Sequence, residues 1–147
     1  MNISQIGLEI IKKYEGFNSE KYICPAGKWT IGYGHSIQPG EDLKTITKED
    51  AEKLLLKDIK SIEFAITRLV LEPLTQGQFD ALVSLVYNWG GGKFMRSKGL
   101  KKLNKGNYQG AEAEFFKDPA LMGIKGGKPL PGLVARRAEE DRRWNAA

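Results

Sequence analysis

The chain has 147 residues, of which 41% are hydrophobic and 28% charged, and its formal net charge is +5. This length allows one domain with a hydrophobic core, and the composition is that of a globular protein rather than a disordered one. The positive charge is compatible with a polyanionic partner such as nucleic acid, anionic lipid or bacterial envelope, and equally with solubility alone. A single cysteine excludes an intramolecular disulfide.

An amphipathic helix is predicted near the N-terminus, with Ser4 as its N-cap and Gly16 as the residue that ends it. Glu15 is therefore expected at the helix C-terminus, where the macrodipole disfavours a negative charge. The apolar stripe of this helix consists of Ile6, Ile10, Ile11 and Tyr14.

Alternating apolar residues between Lys21 and Ile37 predict strands around a turn at "PAG". The glycines of "GYGH" indicate a bulge or a close approach of the backbone by a ligand. The only cysteine and the only histidine of the chain, Cys24 and His35, lie in this segment. Separately, Cys24 is expected to be a buried small hydrophobe and His35 a structural residue. Together, they could form the nucleophile and base of a cysteine peptidase or amidase.

The remainder of the chain is predicted to be mostly helical. "TKED" is a capping signature before a helix of about residues 48–69, and Thr75 precedes a very apolar helix that ends at the glycines of residues 90–92. Shorter helices are predicted at about 97–103 and 108–116, followed by an irregular loop or small hairpin over 122–132 and a last helix in "LVARRAEEDRRW". The fold class is therefore α+β, mainly helical, with a small antiparallel sheet near the N-terminus.

Several kinds of site are excluded by residue type. One histidine and one cysteine are too few for a zinc site, and "GYGH" has no following helix of the dinucleotide-binding kind, so we expect neither a metal nor a cofactor. The basic runs in "KFMRSKGLKK" and in the last helix come without a nucleic-acid-binding module, so no nucleic-acid partner is expected.

The segments "YEGF" and "WTIGYGH" together resemble the phage-type lysozymes, family 24 of the glycoside hydrolases, which include phage endolysins. The signature of that family is a glutamate, eight residues, an aspartate or in some members a cysteine, five residues, and a threonine. Glu15, Cys24 and Thr30 occupy these three positions. The resemblance continues in "FDALVSLVYNWG", "LNKGNYQGAEAEF" and "LPGLVARRAEEDRRW", and so covers nearly the whole chain.

This resemblance implies a single lysozyme-like domain over residues 1–147. A small lobe would cover about residues 15–50, a connecting helix about 48–69, and a helical lobe about 70–147 together with the N-terminal helix. The implied activity is hydrolysis of the β-1,4 bond between N-acetylmuramic acid and N-acetylglucosamine in peptidoglycan.

The resemblance also implies roles for particular residues. Glu15 would be the general acid, Thr30 would hold the attacking water, and one of two adjacent arginines in the last helix would pair with Glu15. His35 would orient its neighbours. The implied substrate-binding residues are Tyr22, His35, Asn88, Arg136 and Arg137.

Cys24 stands where many relatives have a carboxylate, and this leaves alternatives open. A thiol with an ordinary pKa is mostly neutral at pH 7 and stabilises a positive transition state weakly. Either neighbouring groups lower the pKa of Cys24 so that the thiolate replaces the carboxylate, or Glu15 and Thr30 supply most of the rate. Attack by a thiolate on the sugar would retain the anomeric configuration, whereas attack by water held at Thr30, which we favour, would invert it.

Two other functions compete with a lysozyme at this point: a wall amidase or peptidase using Cys24 and His35, and a non-catalytic wall-binding module. The N-terminus has no signal-peptide pattern and no apolar run is long enough to span a bilayer. Together with these features, the resemblance to phage endolysins implies a monomer made in the host cytoplasm, without stable membrane insertion, that reaches the periplasmic wall with the help of a holin-type membrane protein.

Overall fold

The computed structural model describes residues 1–123 and 128–146. The α-helices of this part of the chain are α1 Gln5–Glu15, α2 Lys48–Leu69, α3 Gln76–Trp89, α4 Gly91–Met95, α5 Lys98–Leu103, α6 Tyr108–Glu112 and α7 Pro131–Trp144. A π-helical turn, Ala113–Lys117, continues α6, and a 3₁₀ turn follows at Pro119–Leu121. The strands are β1 Asn18–Ile23, β2 Trp29–Gly32 and β3 His35–Ser36, and they form an antiparallel sheet in the order β1-β2-β3.

Hydroxyl side chains cap α1, α2 and α3, as the sequence predicts. Ser4 accepts a hydrogen bond from the backbone N–H of Gly7, and Thr47 accepts one from the N–H of Asp50. Thr75 and Gln78 form a complete capping box at the start of α3. These bonds satisfy backbone donors that have no partner inside the helix.

The core lies around α3, whose side chains are buried on nearly all sides and which packs against α1, α2 and α7. The apolar composition that distinguishes "FDALVSLVYNW" is therefore explained by its central position. The fully buried side chains of the core include Phe79, Leu82, Leu85, Phe94, Phe115 and Phe116.

The prediction for the inward face of α1 is wrong at one residue. Ile6 is 58% exposed, and Leu8 is buried in its place beside Ile10 and Ile11. The cause is the close approach of α1 to α3 at Gly7, where a Cβ would lie 2.7 Å from Cγ of Asp80. Because α1 contacts α3 through the side of the helix that carries Gly7, Ile6 points away from the core.

The sheet differs from the simple hairpin that alternation predicts, because a short third strand pairs with β2. Gly32 and Gly34 have φ angles of +67° and +79°, and these left-handed positions turn the chain between β2 and β3. Trp29, predicted on the alternating apolar pattern, is 47% exposed. Cys24 lies just past β1 and is only partly buried, so the expected buried position for it is wrong.

The segment predicted as a loop or small hairpin over 122–132 begins and ends with a β-bridge between Gly123 and Pro129. Its centre, residues 124–127, lies outside the described residues. The helix expected over 108–116 begins as predicted at Tyr108 but becomes π-helical from Ala113. Among the helices that the structure describes, none combines the length and apolar character needed to cross a bilayer.

Candidate active site

A cleft of about 410 Å³ lies where the sheet meets α2 and α3. Its walls come from the end of α1, from β3 and the turn before it, from α2 and from the end of α3. The lining residues are Glu15, Gly34, His35, Ser36, Gln38, Asp58, Ser61, Ile62, Tyr87 and Asn88.

Glu15 is the last residue of α1 and points into this cleft. Its Oε2 accepts a hydrogen bond of 2.7 Å from Nη1 of Arg136, a buried residue of α7. The unpaired carbonyls at the end of a helix repel a carboxylate, and the guanidinium offsets that repulsion. Of the two arginines considered from the sequence, Arg136 is therefore the partner of Glu15.

The backbone of Gly34 lies against the other side of the Glu15 carboxylate. A Cβ at Gly34 would lie 2.6 Å from Oε1 of Glu15, so only glycine leaves room for the carboxylate. The sequence indicates a close approach at "GYGH" by a ligand, but at Gly34 the approaching group is the side chain of Glu15. Arg136 and Gly34 thus hold the carboxylate from two sides.

Strand register places Tyr22 and Thr30 on one face of the sheet, because they are direct cross-strand partners. Ser36, which lines the cleft, is the partner of Thr30 on the other side. Burial and the charges of Glu15 and Cys24 raise the pKa of Tyr22. Tyr22, Cys24 and Thr30 lie beside the cleft rather than among its lining residues, and Thr30 is buried.

Cys24 is held at the turn beside Thr30. Hydrogen bonds from the backbone of Lys28 and from the side chain of Thr30 lower the pKa of the Cys24 thiol, because they favour the thiolate. The Thr30 hydroxyl oxygen also lies 3.1 Å from the carbonyl oxygen of Lys28, so its single proton is donated either to that carbonyl or to the Cys24 thiolate. The turn therefore favours the thiolate form of Cys24. This is the form that the residue needs if its sulfur replaces the carboxylate found in many relatives.

His35 is buried under the cleft with both ring nitrogens bonded to carboxylates. Nδ1 lies 2.7 Å from Oδ2 of Asp58, and Nε2 lies 2.9 Å from Oε1 of Glu41. Burial opposes protonation of His35, but the two carboxylates outweigh it and raise the pKa of the imidazole. Neither nitrogen is left for Cys24, so the alternative of a Cys24–His35 dyad does not fit the structure.

The second arginine, Arg137, is also buried but contacts a different part of the cleft. Its Nη2 donates to Oδ1 of Asn88, and its Nε donates to the carbonyl of Leu121 at 3.0 Å. Because arginine only donates, the amide oxygen of Asn88 must face Arg137, and the Asn88 NH₂ group is left to donate into the cleft. Arg137 therefore lies behind the cleft rather than in it.

The sequence did not identify every residue of the site. Asp58 lies among Leu54, Leu55 and Ile62 on the inward stripe of α2. A carboxylate on an apolar helix face needs a partner, so its position in the sequence could have indicated a site residue. Ser84 and Glu140, which are buried beside Arg136, gave no comparable signal because each lies in an ordinary helical pattern.

Comparison with known proteins agrees with this geometry. Residues 12–140 match the family model described as phage lysozyme. The endolysin of Acyrthosiphon pisum secondary endosymbiont phage 1 is 44% identical over 149 aligned positions, which cover the full length of both chains. The endolysin of Bacillus phage B103 is 43% identical over 95% of this chain, and the match spans 52% of that longer relative.

Solved structures with the same fold cover nearly all of the chain. A variant of phage P22 lysozyme superposes with a TM-score of 0.84 at 36% identity, over 99% of each chain. The muramidase domain of SpmX from Asticaccaulis excentricus gives a TM-score of 0.84 at 35% identity, also over 99% of each chain. The predicted mainly helical, lysozyme-like fold is confirmed.

Proposed function

The chain belongs to the phage lysozyme family, and we propose that Glu15 is the general acid with which this enzyme cleaves the glycan strands of peptidoglycan. The activity is that of a lysozyme, a glycoside hydrolase acting on the β-1,4 bond between N-acetylmuramic acid and N-acetylglucosamine, and it serves lysis of the bacterial host. The resemblance seen in the sequence is confirmed at the level of family and activity. The assignment of each residue is our proposal.

The observation that carries the proposal is the position of the Glu15 carboxylate. It lies in the cleft between Gly34 and Arg136, with 20% of the side chain exposed, so that a bound glycan can reach it. Protonated Glu15 donates its proton to the glycosidic oxygen as the bond to the anomeric carbon breaks. Arg136 then compensates the carboxylate that this donation produces.

Thr30 and Cys24 act from the sheet, on the other side of the reacting sugar. Thr30 holds the attacking water, and the Cys24 thiolate stabilises the oxocarbenium-like charge and accepts a proton from that water. Attack from the side opposite to Glu15 inverts the anomeric configuration. NMR of the first-formed reducing end distinguishes inversion from the retention that direct attack by sulfur would give.

The other cleft residues bind or position. Asn88 donates its NH₂ group to the glycan, and Tyr22, the cross-strand partner of Thr30, contacts the glycan from the sheet. His35, fixed by Asp58 and Glu41, keeps β3 attached to α2 and so maintains the shape of the cleft.

The test is the Glu15→Gln variant assayed on purified peptidoglycan, with release of reducing ends and of amino groups measured in parallel. We expect wild-type protein to release reducing ends and Glu15→Gln to lose nearly all of this activity, because an amide is not a proton donor of suitable strength. Glu9→Gln is the matched control, since Glu9 lies exposed on the same helix. Undiminished release of reducing ends by Glu15→Gln would refute the role of Glu15, and release of amino groups would indicate an amidase or peptidase.

Delivery to the wall is a separate proposal that rests on kinship with endolysins. We infer that the enzyme acts as a monomer from the cytoplasmic side and depends on a holin-type protein for access to the wall. Lysis on expression of the enzyme alone, without any agent that permeabilises the membrane, would contradict this dependence.

A further inference from the structure

Glu140 of α7 is a fully buried carboxylate shared by two arginines of the same helix. Its Oε2 accepts from Nε of Arg136 at 3.2 Å and from the hydroxyl of Ser84, and its Oε1 accepts from Nη1 of Arg137. A buried charge persists when it is paired and hydrogen-bonded on all sides, as it is at Glu140.

Two nitrogens of the Arg136 guanidinium, Nε and Nη2, are held by groups that lie behind the cleft. Nε is bonded to Glu140, and Nη2 donates to the carbonyl of Ser84 at 3.0 Å. Because the guanidinium is planar and rigid, fixing these two nitrogens also fixes the third, Nη1, which donates to Glu15. The position of Arg136 at Glu15 is therefore set from behind by Glu140 and α3.

Arg137 repeats this arrangement toward a different cleft residue. Its Nη1 donates to Glu140 and its Nε to the Leu121 carbonyl, which directs Nη2 to Asn88. Burial lowers the pKa of Arg137, and the negative charge of Glu140 opposes that effect. One carboxylate thus lies behind both the Glu15 wall and the Asn88 wall of the cleft.

We propose that Glu140 is a positioning residue that aligns the catalytic acid and the substrate-binding amide together, through Arg136 and Arg137. Its negative charge also balances the two adjacent cations. The inference rests on the proposed function, since it concerns the same acid.

Other groups around Glu15 contribute to that field but do not change when Glu140 is altered. Arg136 comes from α7, Tyr87 from α3 and Tyr22 from β1, and the charge of Glu15 acts on both tyrosines. His35 of β3 and Asp58 of α2 line the cleft, Glu41 is bonded to His35, and Cys24 lies beside β1. The pH dependence is therefore compared between variants in which all of these are present.

The experiment is the pH–rate profile of kcat and kcat/KM for Glu140→Gln, with Glu139→Gln as the matched control. Glu139 is the preceding residue, but it faces α1, where it accepts from Lys13 and Tyr14 at 2.8 Å. We expect the pH–rate profile of Glu140→Gln to differ from that of Glu139→Gln, because only Glu140→Gln removes the buried negative charge that Arg136 and Arg137 share. We also expect kcat to fall about tenfold and KM to rise, because both cleft walls lose alignment.

Glu140→Asp separates charge from geometry and remains informative if Glu140→Gln does not fold. It keeps the negative charge but shortens the side chain, so we expect the shape of the wild-type pH–rate profile with kcat still lowered. A Glu140→Gln profile that coincides with Glu139→Gln, or wild-type kinetics for Glu140→Asp, would overturn the inference. Either result leaves Glu15 as the acid, whereas activity in Glu15→Gln would refute that role independently.

Discussion

Replacing Gly34 by alanine tests whether the location of the Glu15 carboxylate controls the rate. The added Cβ would lie 2.6 Å from Oε1, inside any tolerated contact, and the opposite oxygen is held at 2.7 Å by Arg136. The carboxylate must therefore move by roughly 1 Å, and a displacement of that size from a productive geometry costs about 100-fold in rate. This corresponds to about 2.7 kcal/mol of transition-state stabilisation.

Alanine at this position also carries a backbone cost, because Gly34 has a φ of +79°. That cost is about 1 kcal/mol of folding free energy and lowers the melting temperature of a chain of this length by about 3 °C. Gly106, between α5 and α6, gives the matched control. Its φ is +78°, and within the described part of the chain no atom outside its own neighbours lies within 4 Å of a Cβ built there.

The assay is release of reducing ends from purified peptidoglycan, normalised to folded protein measured by thermal unfolding. Gly34→Ala and Gly106→Ala are expected to lose similar stability, and only Gly34→Ala is expected to lose activity. If the two variants cleave the glycan equally fast, the position of the Glu15 carboxylate does not limit the reaction, and its assignment as the acid is wrong.

Two further predictions concern ionisable groups beside the cleft. Because the folded pKa of His35 is raised, its ion pairs stabilise the protein below the unfolded value of about 6.5, and this contribution is lost as pH rises through the folded pKa. Asp58→Asn should therefore lower the free energy of unfolding, measured with denaturant, by about 2 kcal/mol at pH 6 and by much less at pH 9. An equal decrease at both pH values would contradict the His35–Asp58 pair. Because the pKa of Cys24 is lowered, the thiolate forms at a lower pH than for an ordinary thiol. The activity of Cys24→Ser should therefore fall further below that of the wild type as pH rises through the thiol pKa. Cys24→Asp should retain activity at neutral pH. Full activity of Cys24→Ser across the pH–rate profile would exclude a thiolate role.

Features that depend on neighbours along the chain were predictable. Ser4, Thr47 and Thr75 are N-caps in the structure because a cap acts on a backbone N–H two or three residues away. The family spacing of Glu15 and Thr30 was likewise readable, since it is a pattern within one short segment. Each of these features is decided by residues within about twenty positions.

Features that depend on how helices dock were not predictable from periodicity. Ile6 fits an inward stripe, yet the approach of α1 to α3 at Gly7 exposes it. Arg136 and Arg137 are adjacent and chemically identical, and they point about 100° apart on the helix. Only the docking of α7 decides that one contacts Glu15 and the other Asn88.

The same long-range dependence means that Glu15 has its arginine partner only when the fold is nearly complete. The hydrogen bond between Glu15 and Arg136 joins residues 121 positions apart, and Arg136 is itself held by Ser84 of α3 and by Glu140. Ordering the sheet and α1 alone would therefore leave a carboxylate at a helix end with no cation beside it. Since α7 supplies both arginines, loss of α7 docking should abolish activity before the rest of the core unfolds, and catalysis should be the most sensitive measure of that docking.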